Sequence, residues 1–130
     1  MLAFEFVVEG PAVSLRASRK SARRYQDWIR RVRGAAQQEW PADRRPTSRN
    51  VEVTISIYYT AALPDVDNII KPLLDALNGL AYDDDQQVHR VISQKIAMTS
   101  GDRVINPSVL LAGALQQLDE VVHVLVRWEE

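Results

Sequence analysis

Alternation of hydrophobic and polar residues predicts four strands. Residues 51–59, VEVTISIYY, alternate cleanly between the two classes, which places four aliphatic side chains on one face of a strand. Apolar patterns over residues 2–8, 88–98 and 121–128 indicate three further strands. The chain therefore has enough strands for a small sheet.

Two helices are predicted between these strands. Residues 18–40 repeat hydrophobic side chains at three- and four-residue steps, and Pro41 ends the pattern. Residues 108–118 are predicted to form another helix, with Asn106 or Ser108 at its start. Each helix lies between two predicted strands.

A third, short helix is predicted over residues 68–78. Asp67 is a suitable N-cap, and Gly79 suits the position just after the C-terminus. Pro72 stands just past the first turn, so the helix either kinks there or begins a few residues later.

The resulting order of elements, β-α-β-α-β-α-β, predicts an α/β (α+β) two-layer sandwich with a mixed four-stranded sheet. A length of 130 residues fits a single domain, and 46% hydrophobic residues are enough to fill a core. The absence of cysteine excludes disulfides and thiolate metal sites. The N-terminus lacks the features of a signal peptide, and no apolar run reaches the length of a bilayer span. We therefore expect a cytoplasmic protein that does not enter a membrane.

The net charge of −1 hides a strong asymmetry along the chain. Residues 16–49 carry eleven Lys or Arg against three acids, a charge of +8, and the rest of the chain sums to −9. A segment of this kind attracts polyanions. An ordinary solvated helix face followed by a basic loop explains the same pattern, so charge alone leaves both interpretations open.

An acidic stretch, residues 64–88, surrounds the short helix. It holds six aspartates and a single cation, Lys71. Asp65 and Asp67 are two positions apart before the helix and can point at one spot, and residues 83–85 follow the helix, which returns the chain toward them. Two carboxylates about 4 Å apart repel by about 4 kcal/mol at an effective dielectric constant near 20. A divalent cation relieves this repulsion, and oxygen ligands suit Mg²⁺ or Mn²⁺.

A purely structural interpretation of the acidic residues also stays open. Asp67 could serve only as an N-cap, and residues 83–85 could form a solvated turn. A calcium loop of the EF-hand type is excluded, because Ile69 occupies the next ligand position and the required glycine is missing.

The acidic stretch resembles the central motif of the RusA family of Holliday junction resolvases, which are small metal-dependent endonucleases. A bare DxD is a weak signal, but the resemblance extends over DxDNxxKxxxDAL, a short gap, an aromatic residue and DDxQV. This motif covers about a fifth of the chain and consists here of Asp65, Asp67, Asn68, Lys71, Asp75, Ala76, Leu77, Tyr82, Asp84, Asp85, Gln87 and Val88.

The resemblance implies that Asp65, Asp67 and Asp85 are essential carboxylates that bind Mg²⁺, for which Mn²⁺ can substitute. Asp84 is the second choice as a ligand, and Asp83 falls outside the motif. A metal held there would generate the nucleophile and neutralise the charge that develops on the phosphate.

The resemblance also implies that Lys71 is the essential lysine, which stabilises the transition state or orients the attacking water. Asp75 belongs to the same pattern. It either forms an ordinary i,i+4 salt bridge with Lys71 or orients Lys71 toward the metal site. Asn68 is a supporting residue of the motif.

Members of the RusA family act on four-way DNA junctions as homodimers, with one active site for each strand. The resemblance therefore implies paired symmetric nicks, with 5′-phosphate and 3′-hydroxyl products, in DNA recombination and repair. The basic segment then supplies phosphate contacts. The best candidates are Arg19, Lys20, Arg23 and Arg24, followed by Arg44, Arg45 and Arg49 on a loop that is expected to be mobile.

We assign structural rather than functional roles to two aromatic residues and to both histidines. Tyr25 and Trp28 interleave with the cations but fall on the apolar stripe of their helix, so we assign them to the core. His89 and His123 lie in predicted strands, where a structural role is the more common one.

Residues 102–120 depart from the RusA pattern and are interpreted as an insertion before the last strand. It could extend a dimer interface or alter access of the substrate. Two alternatives to a nuclease remain: a non-catalytic, metal-stabilised DNA-binding protein on the same fold, and a DxD enzyme that handles a nucleotide or sugar phosphate. The sequence lacks the glycine-rich phosphate loop that is expected of the second alternative.

Overall fold

The computed structural model describes residues 1–13, 22–61, 64–98 and 106–129. Across these ranges the chain forms four strands, three α-helices and a short 3-10 helix. In chain order they are β1 (Leu2–Glu9), α1 (Ala22–Glu39), β2 (Val51–Tyr59), α2 (Ile70–Leu77), the 3-10 helix (Asp85–Gln87), β3 (Val88–Ala97), α3 (Val109–Gln117) and β4 (Val121–Trp128). The predicted order of strands and α-helices is confirmed.

One mixed sheet joins the four strands in the order β1-β4-β2-β3. β4 is antiparallel to both β1 and β2, whereas β2 and β3 are parallel. A parallel pair needs a crossover connection, and α2 supplies it. The acidic stretch therefore forms the crossover between two adjacent strands, which confirms the predicted α+β fold and places the candidate site on it.

Helices α1 and α2 cover one face of this sheet. Trp28 and Val32 of α1 are buried against it, as are Leu73 and Leu77 of α2. The alternating aliphatic residues of β2 are buried in the same core. This packing fixes α2, and with it the acidic stretch, to the rest of the fold.

Helix α3 packs on the opposite face of the sheet. Leu111 of α3 contacts a second apolar cluster that includes Val121 and Val7. Val7 points away from the main core because its strand neighbours, Phe6 and Val8, point into it. The third helix therefore lies on the side of the sheet away from α2.

The ends of α3 and α1 follow local signals in the sequence. α3 begins after Ser108, whose hydroxyl accepts a hydrogen bond from the backbone N–H of Leu111 at 3.1 Å. α1 ends at Glu39, two residues before Pro41, and its predicted start lies outside the described residues. Among the helices of the described ranges, none combines the length and apolar character that a membrane crossing needs.

The start of α2 corrects the predicted N-cap and confirms the later of the two starts that Pro72 left open. The helix begins at Ile70, and Ile69 occupies the N-cap position without a side-chain cap, so Asp67 is not the N-cap. With this start, Pro72 is the third helical residue, where the backbone N–H has no partner within the helix. A start at Asn68 would have placed Pro72 where the helix needs its N–H. Gly79 follows the helix with a φ of 78°, as predicted.

Candidate active site

The turn before α2 brings the first two candidate carboxylates to one amide group. Asn68 Nδ2 donates to Asp65 Oδ2 at 2.8 Å and to Asp67 Oδ1 at 3.4 Å, and Asn68 N donates to Asp65 Oδ1 at 3.4 Å. Asp65 and Asp67 therefore point to the same side of the turn. The Asn68 amide contacts both carboxylates, and its supporting role in the site stays a prediction.

Lys71 connects α2 with the acidic residues that follow it. Its Nζ lies 2.7 Å from Asp75 Oδ1, one helical turn along α2, and 3.4 Å from Asp85 Oδ2 in the 3-10 helix. About half of the Lys71 side chain is exposed, whereas Asp75 and Asp85 are 34% and 28% exposed. The chain therefore returns after α2 far enough for Asp85 to contact Lys71 of that helix.

The carboxylates expected to bind a metal are not gathered into a single ligand group. In the described ranges, no three His, Asp or Glu side chains lie together closely enough to hold a metal ion. The donors fit Mg²⁺ in kind, because all three are carboxylates and Asp65 and Asp67 share one side of a turn. The assignment of Asp65, Asp67 and Asp85 as metal ligands stays a prediction.

Two proton donors beside these acids are held in their protonated forms. The hydrogen bond to Asp75 raises the pKa of Lys71 above its ordinary value of 10.5, and the contact with Asp85 adds to the effect. Burial raises the pKa of Tyr82 well above its usual range, and its hydroxyl donates to the backbone oxygen of Leu74 at 2.8 Å. At neutral pH Lys71 is a cation and Tyr82 is a neutral donor.

The aromatic residues of α1 belong to the core, as predicted. Trp28 is 1% exposed, and Tyr25 is partly buried against the main core. Burial raises the pKa of Tyr25, and the charge of Asp75 adds to this while that of Lys71 opposes it. The start of α1 therefore lies within electrostatic reach of the Lys71–Asp75 pair.

Arg33 fixes the C-terminus of α2, a role that the sequence interpretation missed. Arg33 Nη1 donates to the backbone oxygens of Ala76 at 3.0 Å and Asn78 at 2.8 Å. The last carbonyl groups of a helix lack partners within it and carry partial negative charge, so a guanidinium stabilises them. The one sequence signal that could have pointed to such a partner is that α2 has no basic residue in its own last turn.

The 3-10 helix that carries Asp85 is capped by Asp84. Asp84 Oδ1 accepts from the backbone N–H of Gln86 at 2.9 Å, and Gln87 Oε1 accepts from the backbone N–H of Asp84 at 2.9 Å. One oxygen of Asp84 is therefore used in capping, and one oxygen of Asp85 contacts Lys71, so the preference for Asp85 as a ligand stays a prediction.

The cations predicted to contact phosphate fall into two groups. The first basic group lies on the exposed side of α1. Arg23, Arg24 and Arg31 line a surface cavity of about 440 Å³. Arg19 and Lys20, the other two predicted phosphate contacts in this region, lie outside the described residues.

The second basic group lies on the loop between α1 and β2. Arg44, Arg45 and Arg49 line a cavity of about 450 Å³. In this loop the backbone N–H of Thr47 donates to the backbone oxygen of Ala81 at 3.0 Å. The loop is thus anchored to the turn that follows α2.

The two histidines lie in different surroundings. His123 is buried on the α3 side of the sheet, with its Nε2 2.7 Å from Glu5 Oε2. His89 is exposed and lines a third cavity together with Arg49 and Arg127. His123 therefore takes part in packing on the side of the sheet away from α2.

A small α+β domain with two basic groups beside an acidic stretch is typical of proteins that act on a polyanion. The chain matches the family model described as Endodeoxyribonuclease RusA over residues 13–105, which is more than half of its length. The protein therefore belongs to the RusA endodeoxyribonuclease family. The match includes α1, β2, α2 and β3, whereas β1, α3 and β4 lie outside it. A search of curated proteins finds no match.

Proposed function

We propose that this protein is a Mg²⁺-dependent endonuclease that resolves four-way DNA junctions by paired symmetric nicks. Membership of the RusA family supports cleavage of DNA. The observation that carries the proposal for this chain is the position of Lys71 between Asp75 and Asp85, with the turn of Asp65 and Asp67 directly before the same helix.

Lys71 is the proposed catalytic cation. Its raised pKa keeps it charged at neutral pH, and Asp75 holds its Nζ at 2.7 Å. A fixed ammonium group beside the scissile phosphate stabilises the negative charge that develops on the phosphate oxygens. Asp75 acts through Lys71 and is therefore a positioning residue.

Asp65, Asp67 and Asp85 are the proposed ligands of the divalent ion. When bound, such an ion supplies Lewis acidity and activates a water molecule near neutral pH. Asp85 contacts Lys71 at 3.4 Å, which is longer and weaker than the 2.7 Å contact of Asp75. Asp85 can therefore give up Lys71 more easily than Asp75 can.

A homodimer follows from the proposed reaction. Paired nicks at symmetric positions require two active sites, and a two-fold dimer supplies them in matching orientations. The two arginine groups supply the positive charge that holds the DNA backbone. Solution mass, measured by light scattering with and without a junction, tests the dimer.

Cleavage of a synthetic four-way junction tests the function directly. The wild-type protein is incubated with the labelled junction and with a linear duplex of the same sequence, in Mg²⁺ or in EDTA. We expect paired nicks in the junction only in Mg²⁺, and we expect their loss in Asp65→Asn. Asp83→Asn serves as the matched control, because Asp83 is an exposed acid outside the motif.

The other outcomes separate the remaining functions. Binding of the junction without cleavage in Mg²⁺ would support the non-catalytic DNA-binding alternative. Equal cleavage of junction and duplex would contradict junction selectivity but not the endonuclease. Wild-type cleavage by Asp65→Asn would remove Asp65 from the site.

A further inference from the structure

The side chain of Gln87 joins the acidic stretch to the second basic group. Its Oε1 accepts from the backbone N–H of Asp84 at 2.9 Å. Its Nε2 donates to the backbone oxygens of Thr47 at 2.8 Å and Arg49 at 2.7 Å. One amide therefore bonds two segments that are about 40 residues apart in the chain.

These bonds lie where the two segments carry their charged side chains. Gln87 is in the same 3-10 helix as Asp85, whose Oδ2 contacts Lys71. Arg49 lines a cavity with Arg44 on one side and another cavity with His89 on the other. The backbone of Arg49 is thus held at a defined place relative to Asp85.

We propose that Gln87 is a positioning residue that places the Arg49 loop to receive a DNA phosphate next to the acidic site. This inference rests on the proposed function, since it requires DNA as the ligand. A loop that is ordered before binding loses less conformational entropy when the phosphate arrives. Arg49 then binds the phosphate without the cost of ordering its loop, and the bound strand lies in register with Lys71 and Asp85.

If Gln87 served only the stability of the fold, Gln87→Ala would chiefly lower the melting temperature, and the structure argues against a large loss. The carbonyl of Arg49 is in an exposed bond, so water can replace the amide when Gln87 is removed. Gln87 also lies outside the buried core of the domain. We therefore expect Gln87→Ala to change DNA binding and the state of the loop much more than it changes the melting temperature.

A double-mutant cycle with Arg49 measures this positioning directly. The dissociation constant for a labelled four-way junction is measured in EDTA for the wild type, Gln87→Ala, Arg49→Ala and the double variant. A single phosphate contact is worth about eightfold in affinity at about 0.1 M salt and about 0.9 in the salt slope. We expect Arg49→Ala to cost about that much in the wild type and close to nothing in Gln87→Ala.

Limited trypsin digestion gives a readout that does not depend on DNA. Release of the loop should speed cleavage after Arg49 in Gln87→Ala, while cleavage after Arg30 in α1 stays unchanged. Gln86→Ala is the matched control, because Gln86 uses its backbone N–H rather than its side chain in the 3-10 helix. Gln87→Met preserves the side-chain length and replaces Gln87→Ala if that variant does not fold.

The outcomes distinguish this inference from the proposed function. Additive effects of the two substitutions, or unchanged trypsin cleavage after Arg49, would overturn the positioning role while leaving DNA cleavage intact. A wild-type protein that does not bind the junction would overturn the proposed function and this inference together. Non-additive binding with faster trypsin cleavage after Arg49 would support the positioning role, and the junction-cleavage assay would still decide the proposed function.

Discussion

The two ends of the acidic stretch are held in different ways. Before α2, Asp65 and Asp67 accept hydrogen bonds from Asn68, whose amide is neutral. After α2, Asp85 contacts Lys71, which is a cation. Each end has contacts within the stretch itself, and Gln87 also bonds the second end to the loop of Thr47 and Arg49.

The difference indicates a division of roles across one short helix. An amide orients two carboxylates without removing their charge, so the first end is suited to attract a cation. An ammonium group offsets part of the charge of Asp85 and brings its own positive charge to the site. The site therefore combines a region suited to a metal ion with a region suited to a phosphate.

Among the substitutions that test this division of roles, Lys71→Met should have the largest effect. In Lys71→Met the second end keeps its carboxylates but loses the cation that is proposed to face the phosphate. We expect the rate of junction cleavage to fall by about 100- to 1,000-fold with little change in junction affinity. Single-turnover kinetics at saturating protein measure the rate separately from binding.

Lys95→Met is the control for this loss of charge, because Lys95 is an exposed lysine of β3. Cleavage by Lys95→Met should match the wild type. A fall in affinity without a fall in single-turnover rate in Lys71→Met would contradict a catalytic role and leave Lys71 as a DNA contact.

Removal of Arg33 should have a smaller effect, on stability, because Arg33 holds the helix that separates the two ends. Arg33→Met leaves the carbonyl groups of Ala76 and Asn78 without their charged donor. We expect the free energy of unfolding to fall by about 2 kcal/mol in chemical denaturation. Arg30→Met is the matched control, since its exposed pair with Asp27 should contribute less than about 1 kcal/mol.

Substitution of Asp67 should have the smallest effect on stability. Asp67 does not cap α2, so Asp67→Ala removes no cap and should change the free energy of unfolding by less than about 0.5 kcal/mol. Ser108→Ala removes an observed cap of α3 and should cost about 1 kcal/mol. A cost for Asp67→Ala equal to that of Ser108→Ala would show that Asp67 stabilises the fold rather than serving the site.

Local patterns predicted most of the fold. The alternation in β2, the glycine after α2 and the serine before α3 each act within a few residues, and the structure confirms all three. The spacing of the acidic motif likewise predicted that Asp65 and Asp67 lie on one side of a turn. Features that depend on contacts between residues a few positions apart can thus be predicted from the sequence.

Contacts between distant residues could not be predicted in this way. Arg33 reaches α2 across 43 residues and Gln87 reaches Arg49 across 38, so both depend on how α1, the loop and the crossover pack together. Both residues had been assigned only to a basic segment or a motif. The N-cap of α2 was wrong for a local reason: the requirement of Pro72 for a first-turn position, which had left a later start open, outweighed the capping preference of Asp67.

Binding of a divalent ion to the DNA-free protein tests most directly whether the two ends form one site. Titration calorimetry with Mg²⁺, and with Mn²⁺ as a substitute, compares the wild type with Asp65→Asn, Asp85→Asn and the Asp83→Asn control. We predict that Asp65→Asn and Asp85→Asn each lose at least about tenfold in affinity while Asp83→Asn binds as the wild type does. Wild-type affinity in Asp85→Asn would contradict the account, because the ion would then be held from one end of the stretch alone.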